Sequence, residues 1–483
     1  MVDEQSGGIP VTAETTVEQG GEAAHGDAHN QGLIRGIGLK SATALVIANI
    51  IGAGIFTSTG FQAGSLGHPG YIFLLWILGG VLAFCGALCY AELGAAMPRA
   101  GAEYVYLRET YGLPFGFMSA FVSLFAGFAA PIASALKSLV RYLTLFFPAL
   151  ASEPVLWGFI NVNDWIAVCL AWILVAIHLR GIRGGFRFND WITLFKLAGI
   201  VLIIAAAASV GKGHISNMAY VSPAYGTMSL ADKWGAFANS LIFVMFCYSG
   251  WNASAYVAGE IKEPQRNLPR SLMFGTSIVV LLYLGLNAVY FYGANVDALA
   301  NKVEVGLIAA NALFGSSGAI LVTAVLSISL VASASAMTIA GPRVYYALGR
   351  DLSPFRLFAR INSTTGAPEA SLLLQGSITS VVILSGRVDQ IQQYAGFTLT
   401  LFASMAISCV IVLRSRKPHM ARPFRTWGYP VTPSLFLAVS AWALIWNFRG
   451  RPLESTLSLV TVLLGGAIFY ATTSRNKGSG NGG

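Results

Sequence analysis

Charge is what this chain has least of. Only 11% of its 483 residues are Asp, Glu, Lys or Arg, 55% are hydrophobic, and mean hydropathy is +0.65. Soluble proteins carry about 25% charged residues, so there is too little charge here to coat a water-soluble globule of 51.1 kDa. That excludes an ordinary cytosolic enzyme and a disordered protein. The net charge of +9 does not point to nucleic acid on so apolar a chain; it reads as cytoplasmic loops facing anionic lipid. Cysteine is scarce as well. Cys85, Cys89, Cys169, Cys247 and Cys409 all lie in apolar runs and read as small buried hydrophobes. Cys85 and Cys89 sit one helical turn apart, but no His or further Cys flanks them at zinc-site spacing. Neither a metal site nor a disulfide framework is expected.

Residues 1–32 carry six acids and no Lys or Arg. A secretory signal needs a basic start, so this stretch reads as a disordered tail, as does 474–483. Between the tails, long apolar runs alternate with polar punctuation. A bilayer core needs about 20 apolar residues per helix. Twelve spans are expected, near 40–63, 70–97, 114–147, 163–181, 189–211, 234–258, 269–293, 305–341, 368–386, 389–414, 429–448 and 454–473. The long runs at 114–147 and 305–341 would tilt or extend beyond the core.

The basic residues orient these spans. With the N-terminus inside, the inner loops hold Arg99 and Arg108, then Arg180, Arg183 and Arg187, then Lys262, Arg266 and Arg270. Further along they hold Arg343, Arg350, Arg356 and Arg360, then Arg414, Arg416, Lys417, Arg422 and Arg425. The outer loops hold only Lys212, Lys233, Lys302, Arg387, Arg449 and Arg451. Basic residues collect on the cytoplasmic side of membrane proteins, so both termini are placed in the cytoplasm and the chain in the cytoplasmic membrane.

Two spans carry small-residue breaks. The first reads Ala48-Asn49-Ile50-Ile51-Gly52-Ala53-Gly54-Ile55-Phe56, with two glycines at its middle. Glycine weakens a helix and lets backbone approach a ligand. A small-residue packing seam between helices gives the same pattern. The sixth span repeats the feature as Phe246-Cys247-Tyr248-Ser249-Gly250-Trp251-Asn252-Ala253-Ser254, five spans later. Interrupted helices at matching positions of two halves point to a transporter site between inverted repeats. Freed N–H groups at half-helix starts would take a carboxylate, and freed carbonyls an ammonium. An α-amino acid has both.

These residues resemble the amino acid–polyamine–organocation superfamily. Asn49 to Phe56 is similar to its first-helix motif. Tyr90-Ala91-Glu92-Leu93-Gly94 with Pro98-Arg99-Ala100-Gly101-Ala102-Glu103-Tyr104-Val105-Tyr106 resembles its second helix and first inner loop. Tyr248 to Asn252, then Glu260, Pro264, Arg266, Asn267 and Pro269, resembles its sixth helix and following loop. The likeness covers about residues 34–473 and leans to the L-type amino-acid transporters and their bacterial relatives. It implies an all-α membrane protein with the leucine-transporter-type fold and a 5+5 inverted repeat. The repeats would be 33–212 and 213–415, followed by helices 11 and 12 in 416–473. It implies carriage of α-amino acids by alternating access, with no cofactor and no covalent chemistry. The substrate carboxylate would lie near the N–H groups of Ala53 and Gly54. The ammonium would lie near the carbonyls of Ile50 and of Phe246 or Ser249. Phe246 matches an aromatic gate, and Trp251 and Asn252 match lining residues. Many relatives have Ser where this chain has Ala53, so a hydroxyl contact to the carboxylate is missing.

Once the loops, the termini and the pair Lys137 and Arg141 near an outer end are set aside, Lys196 is the one basic residue left within a span. Intramembrane charge is costly and marks function, although a lysine two turns from the interface can also snorkel. By resemblance, Lys196 stands where sodium-coupled relatives hold an ion. It would touch first-break carbonyls and the hydroxyls of Ser333 and Ser335 on the eighth helix. The resemblance leaves open a proton switch or a fixed charge, and therefore symport or sodium-independent exchange.

The remaining polar residues read as structural. Glu92 is expected to anchor inner-loop arginines, with a proton relay as the alternative. Lys137 with Arg141, and His178, read as interfacial. Trp76 and Trp172 read as packing or lipid-facing residues, and Tyr394 as a candidate outer gate. No acid lies in either break, which favours neutral or small substrates over polyamines and cationic amino acids. A channel would line its path with charged rings, a membrane enzyme needs an acid or His cluster at depth, and a nucleotide-driven pump needs a P-loop; the sequence supplies none of these. No cysteine lies in a predicted outer loop, so no disulfide-linked subunit is expected.

Overall fold

The computed structural model describes residues 35–99, 101–152, 155–157, 160–180, 182–362 and 367–478. The expected N-terminal tail and residues 479–483 lie outside the described residues.

The first predicted span is two helices, α1 (Leu39–Ile50) and α2 (Ala53–Leu66), separated by Ile51 and Gly52. Next come α3 (Pro69–Ala96) and a short loop helix, α4 (Glu103–Tyr111). The third span starts as α5 (Leu113–Val122), widens into a π-helical stretch over Ser123–Ala129, and continues as α6 (Ala130–Tyr142). Pro131 explains the widening: it cannot bond back to Gly127, and its ring would strike that carbonyl in a regular helix. A small β-ribbon, Val155–Trp157 with Ile160–Asn161, precedes α7 (Val162–Leu179). The Asn161 side chain caps α7 by accepting from Asp164 N at 3.0 Å. Then follow α8 (Ile182–Val210), α9 (Leu230–Tyr248), the four-residue α10 (Ala253–Tyr256) and α11 (Pro264–Gly293).

The eighth span, α12 (Val305–Asp351), is 47 residues long and breaks direction at Gly315 (φ +69°). That break divides the overlong predicted segment into a short first piece and a long second piece. The chain ends with α13 (Glu369–Ser385), α14 (Val388–Arg416), α15 (Val431–Gly450) and α16 (Pro452–Gly478). Residues 474–478, expected in the tail, are the last turns of α16.

Among the described residues, ten helical stretches are long and apolar enough to cross a membrane. The other two predicted segments hold α9, diluted by Asp232, Lys233, Asn239 and Ser240, and α13, only 17 residues long. The outward surface is itself apolar: Leu74, Ile77 and Val81 form one exposed stripe of α3 at helical spacing. Water would penalise such a face, and lipid suits it.

Inside, α3 and α1 pack along α11, α6 packs along α12, and α2 packs against α9. Polar bonds pin α2 beyond its break. Gln392 Nε2 donates to Thr57 Oγ1 (2.8 Å) and Ser134 Oγ (2.9 Å), and its Oε1 accepts from Ser58 Oγ (3.0 Å). Thr59 Oγ1 donates to Asn287 Oδ1 at 2.7 Å. All of these side chains are buried, where an unpaired polar atom is costly, so the network fixes the register of α2 against α6, α11 and α14.

Candidate functional site

The two interruptions meet. At the first, Ile51 N still bonds Ile47 O (3.1 Å), but Gly52 is extended and α2 restarts at Ala53. At the second, α9 stops at Tyr248 and Gly250 takes φ +94°. A Cβ on Gly250 would lie 2.9 Å from Asn49 O, and one on Gly54 would lie 2.5 Å from Cys247 Sγ. Glycine is therefore required at both positions for the chain beside one break to approach the chain beside the other this closely. Tyr283 of α11 ties them together: its hydroxyl lies 2.7 Å from Ile50 O and 3.1 Å from Cys247 O, one carbonyl from each break.

Lys196 is 1% exposed, so it does not snorkel. Its ammonium donates to Ala48 O (3.0 Å), Ile51 O (2.8 Å) and Ser333 Oγ (3.3 Å). Ser333 Oγ also lies 2.7 Å from Ile51 O, as donor. Ser335 does not join them. Two residues on a helix are turned about 200° apart, so Ser335 faces the other way and pairs with His178 Nε2 at 3.0 Å.

Two cavities adjoin the breaks. The smaller, about 20 Å³, is lined by Ile50, Ala53, Gly54, Phe246, Ser249 and Ser333, among others. The larger, about 510 Å³, shares Asn49, Ser249 and Met337 with it and also takes in Trp251 and Asn252. It runs to Arg350 and the half-exposed Ile361, at the end of the bundle that carries the α3–α4 and α12–α13 loops. The named sequence candidates thus gather around two cavities that share Asn49, Ser249 and Met337, with Lys196 behind the first break and Ser335 turned away.

One charged residue lining the larger cavity was not singled out from sequence. Glu103, the first residue of α4, is 8% exposed. Its carboxylate accepts from Tyr90 Oη (2.8 Å), from Asn252 Nδ2 (2.5 Å) and from Tyr256 Oη. Burial raises its carboxyl above the usual carboxylate range, while the bonds from Tyr256, Tyr90 and Asn252 pull it back. Trp251 stacks edge-on against Tyr90, with ring centroids 4.5 Å apart.

Several peripheral expectations need adjusting. His178 is buried and lines the large cavity rather than an interface, because Ser335 reaches its ring. Cys169 is exposed on the apolar exterior, unlike the other four cysteines. Lys137 forms an inward ion pair with Asp164 and donates to Ile383 O (3.0 Å), so it is not a free interfacial anchor. Glu92 anchors the loop after α14: Arg414 bonds both its oxygens (2.9 and 2.6 Å), and Thr426 N donates at 2.7 Å. Trp76 is buried and donates to Gln62 Oε1, whereas Trp172 lies partly exposed against Ser380. Tyr394 bonds Thr461 of α16 (3.1 Å) and lines neither cavity. No cluster of three or more His, Cys, Asp or Glu placed to hold a metal occurs among the described residues.

Comparison with known proteins fits this geometry. Residues 37–469 match the family model described as amino acid permease. The serine/threonine exchanger SteT of Bacillus subtilis is 27% identical over 449 residues, covering 92% of this chain and 98% of that protein. Asc-type amino acid transporter 1 of Mus musculus is 26% identical, covering 90% of this chain and 80% of that one. Large neutral amino acids transporter small subunit 2 of Rattus norvegicus is 26% identical, with the same coverage of 90% and 80%. A membrane-embedded helical protein whose family model spans nearly every apolar helix is thereby assigned: the chain belongs to the amino acid permease family.

Proposed function

We propose that this permease carries small neutral α-amino acids across the cytoplasmic membrane by alternating access, as a twelve-span protein with two inverted five-helix repeats (33–212 and 213–415) and both termini inside. The observation that carries this reading is the meeting of two unwound segments at one cavity. Four half-helix ends converge there, and two are already engaged by fixed protein charges. Lys196 takes the carbonyl end of α1, and Glu103 takes the Asn252 side chain at the start of α10. The start of α2, with the N–H groups of Ala53 and Gly54, and Ser249 O just past the end of α9 remain for a ligand, whereas Phe246 O already accepts from Ser249 N (3.0 Å) and Ser249 Oγ (2.6 Å). Helix starts favour anions and helix ends favour cations, so the two remaining ends match the carboxylate and ammonium of an amino-acid backbone.

Neutral side chains fit best. The acid nearest the breaks, Glu103, is already engaged by three neutral donors, so it is not held ready for a cationic side chain or polyamine, and the cavity's other acid, Glu260, lies eight residues past Asn252. The likeness to a serine/threonine exchanger supports small substrates and exchange as the mode of transport. In this reading the large cavity is the cytoplasmic path, Phe246 is a gate, and the Gln392 network closes the outer path.

The test is uptake of an amino-acid panel into proteoliposomes, with and without a pH gradient and with internal counter-substrate. Saturable uptake of small neutral amino acids, accelerated by internal substrate, is expected. A flux that rises linearly with concentration and ignores internal substrate would mean a channel instead. Acceleration by an inward proton gradient with no counter-substrate would establish symport over exchange.

A further inference from the structure

Asn252 occupies the N-cap position of α10, where asparagine ordinarily turns its side-chain oxygen onto the helix's own N–H groups. It does not do so here: α10 has no side-chain cap bond. Its amide nitrogen instead points at Glu103 Oε1 (2.5 Å), with Tyr256 Oη more distant at 3.5 Å. An ionised carboxylate can only accept, and three donors converge on the two oxygens of Glu103. The orientation of the amide is therefore dictated: Nδ2 toward Glu103, Oδ1 away. Asn252 lines the large cavity, and no described protein group donates to its Oδ1. It does not line the small cavity, which Ile50, Ala53, Gly54 and Phe246 do.

We propose that Glu103 is a positioning residue that turns the Asn252 amide oxygen into the cavity, so that the site selects substrates carrying a hydroxyl donor on the side chain, such as serine and threonine. This rests on the transport reading above. The lining residues separate the two tasks. The substrate lies in the large cavity beside Asn49 and Ser249, where the small one adjoins it, with its backbone groups toward the breaks and its side chain toward Asn252, where Oδ1 waits as an acceptor.

The experiment compares pairs that differ by one hydroxyl group, L-serine with L-alanine and L-threonine with L-2-aminobutyrate, as initial uptake rates into proteoliposomes. One hydrogen bond to a water-accessible oxygen is worth about 1 kcal/mol, or roughly fivefold in KM. Wild-type protein is expected to show a KM about fivefold lower for each hydroxylated member. Glu103→Gln can accept as well as donate, which frees the Asn252 amide to turn over. Its serine KM should rise to the alanine value, while its alanine KM stays within twofold. Asn252→Ala should erase the same preference, and Glu103→Asp should keep most of it. The inference is overturned if wild type does not discriminate within the pairs, or if Glu103→Gln keeps the discrimination. It is also overturned if serine and alanine lose affinity equally, which would mark a structural role. Should Glu103→Gln carry nothing, the wild-type ratio and Asn252→Ala decide. Wild-type protein that carries no neutral amino acid overturns the transport reading itself, a distinct result.

Discussion

The two broken helices look alike in sequence and are held by opposite means. At the first break a buried cation, Lys196, binds two carbonyls directly. At the second break a buried anion, Glu103, binds side chains that hang from the unwound turn and the short helix after it. The first arrangement immobilises backbone; the second orients a side chain. This difference teaches where to expect rigidity and where to expect selectivity. Removing the cation should collapse transport of every substrate, because the backbone geometry of the site depends on it. Removing the anion should alter which substrates are preferred.

The largest expected effect follows from that contrast. Lys196→Ala leaves Ala48 O without the ammonium inside the bundle, leaves Ile51 O with Ser333 Oγ alone, and removes the buried charge that holds the two carbonyls together. Unsatisfied buried groups cost about 1–3 kcal/mol each, so uptake should fall about 100-fold or more, for serine and alanine alike. Transport by reconstituted Lys196→Ala at the wild-type rate would remove Lys196 from the site.

Next comes the crossing itself. A Cβ at position 54 would sit 2.5 Å from Cys247 Sγ and 3.0 Å from Cys247 Cα. Overpacking of this kind costs about 1–3 kcal/mol, and Gly54→Ala should reduce uptake about 30-fold. Adding Cys247→Ala removes the sulfur clash but leaves the tight approach to the backbone at that position, so the double variant should recover only partly. Full recovery, or none, would show that the breaks do not approach through this pair.

A smaller loss, about tenfold, is expected for Tyr283→Phe. Its hydroxyl is shared by one carbonyl from each break (2.7 and 3.1 Å), so its removal loosens both regions together. If serine and alanine uptake fall by different factors, Tyr283 belongs with the selectivity apparatus of the second break and not with the common scaffold.

The sequence exposed one side of this comparison far better than the other. Scarce charge made Lys196 visible, and glycines inside an apolar run made the first break visible, since both contradict their surroundings. Most helices fall within a few residues of the expected spans because hydropathy encodes lipid contact directly, while α12 runs on to Asp351 and α9 stops at Tyr248. Glu103 stayed hidden for the opposite reason: it lies in a polar loop segment where an acid is unremarked, and its partners Asn252 and Tyr256 are 149 and 153 positions away. Tyr283 was hidden among apolar neighbours, since a tyrosine in a membrane helix carries no sign of whether its hydroxyl meets a carbonyl. The π-helical stretch left only Pro131 as a clue. His178 was misplaced because hydropathy locates the end of a span but not the helix packed across it.

The choice between Ser333 and Ser335 needed the rotation of α12, which a small-residue run such as Val331-Ala332-Ser333-Ala334-Ser335-Ala336 does not reveal. The structure makes that choice a sharp test of the first break. Ser333 accepts from Lys196 and donates to Ile51 O, so it completes the cation's grip on the backbone. Its single proton can serve only one acceptor at a time, and at 2.7 Å Ile51 O is closer than Ser329 O at 3.0 Å. Ser333→Ala therefore removes two hydrogen bonds, one from Lys196 and one to Ile51 O, at about 0.5 kcal/mol each or roughly fivefold in uptake together, and leaves the other two acceptors of Lys196 in place. Ser335→Ala, on the opposite face against His178, should stay within about twofold of wild type. Equal losses in the two variants, measured side by side at matched protein density, would mean that α12 turns between conformations and presents both hydroxyls in the cycle.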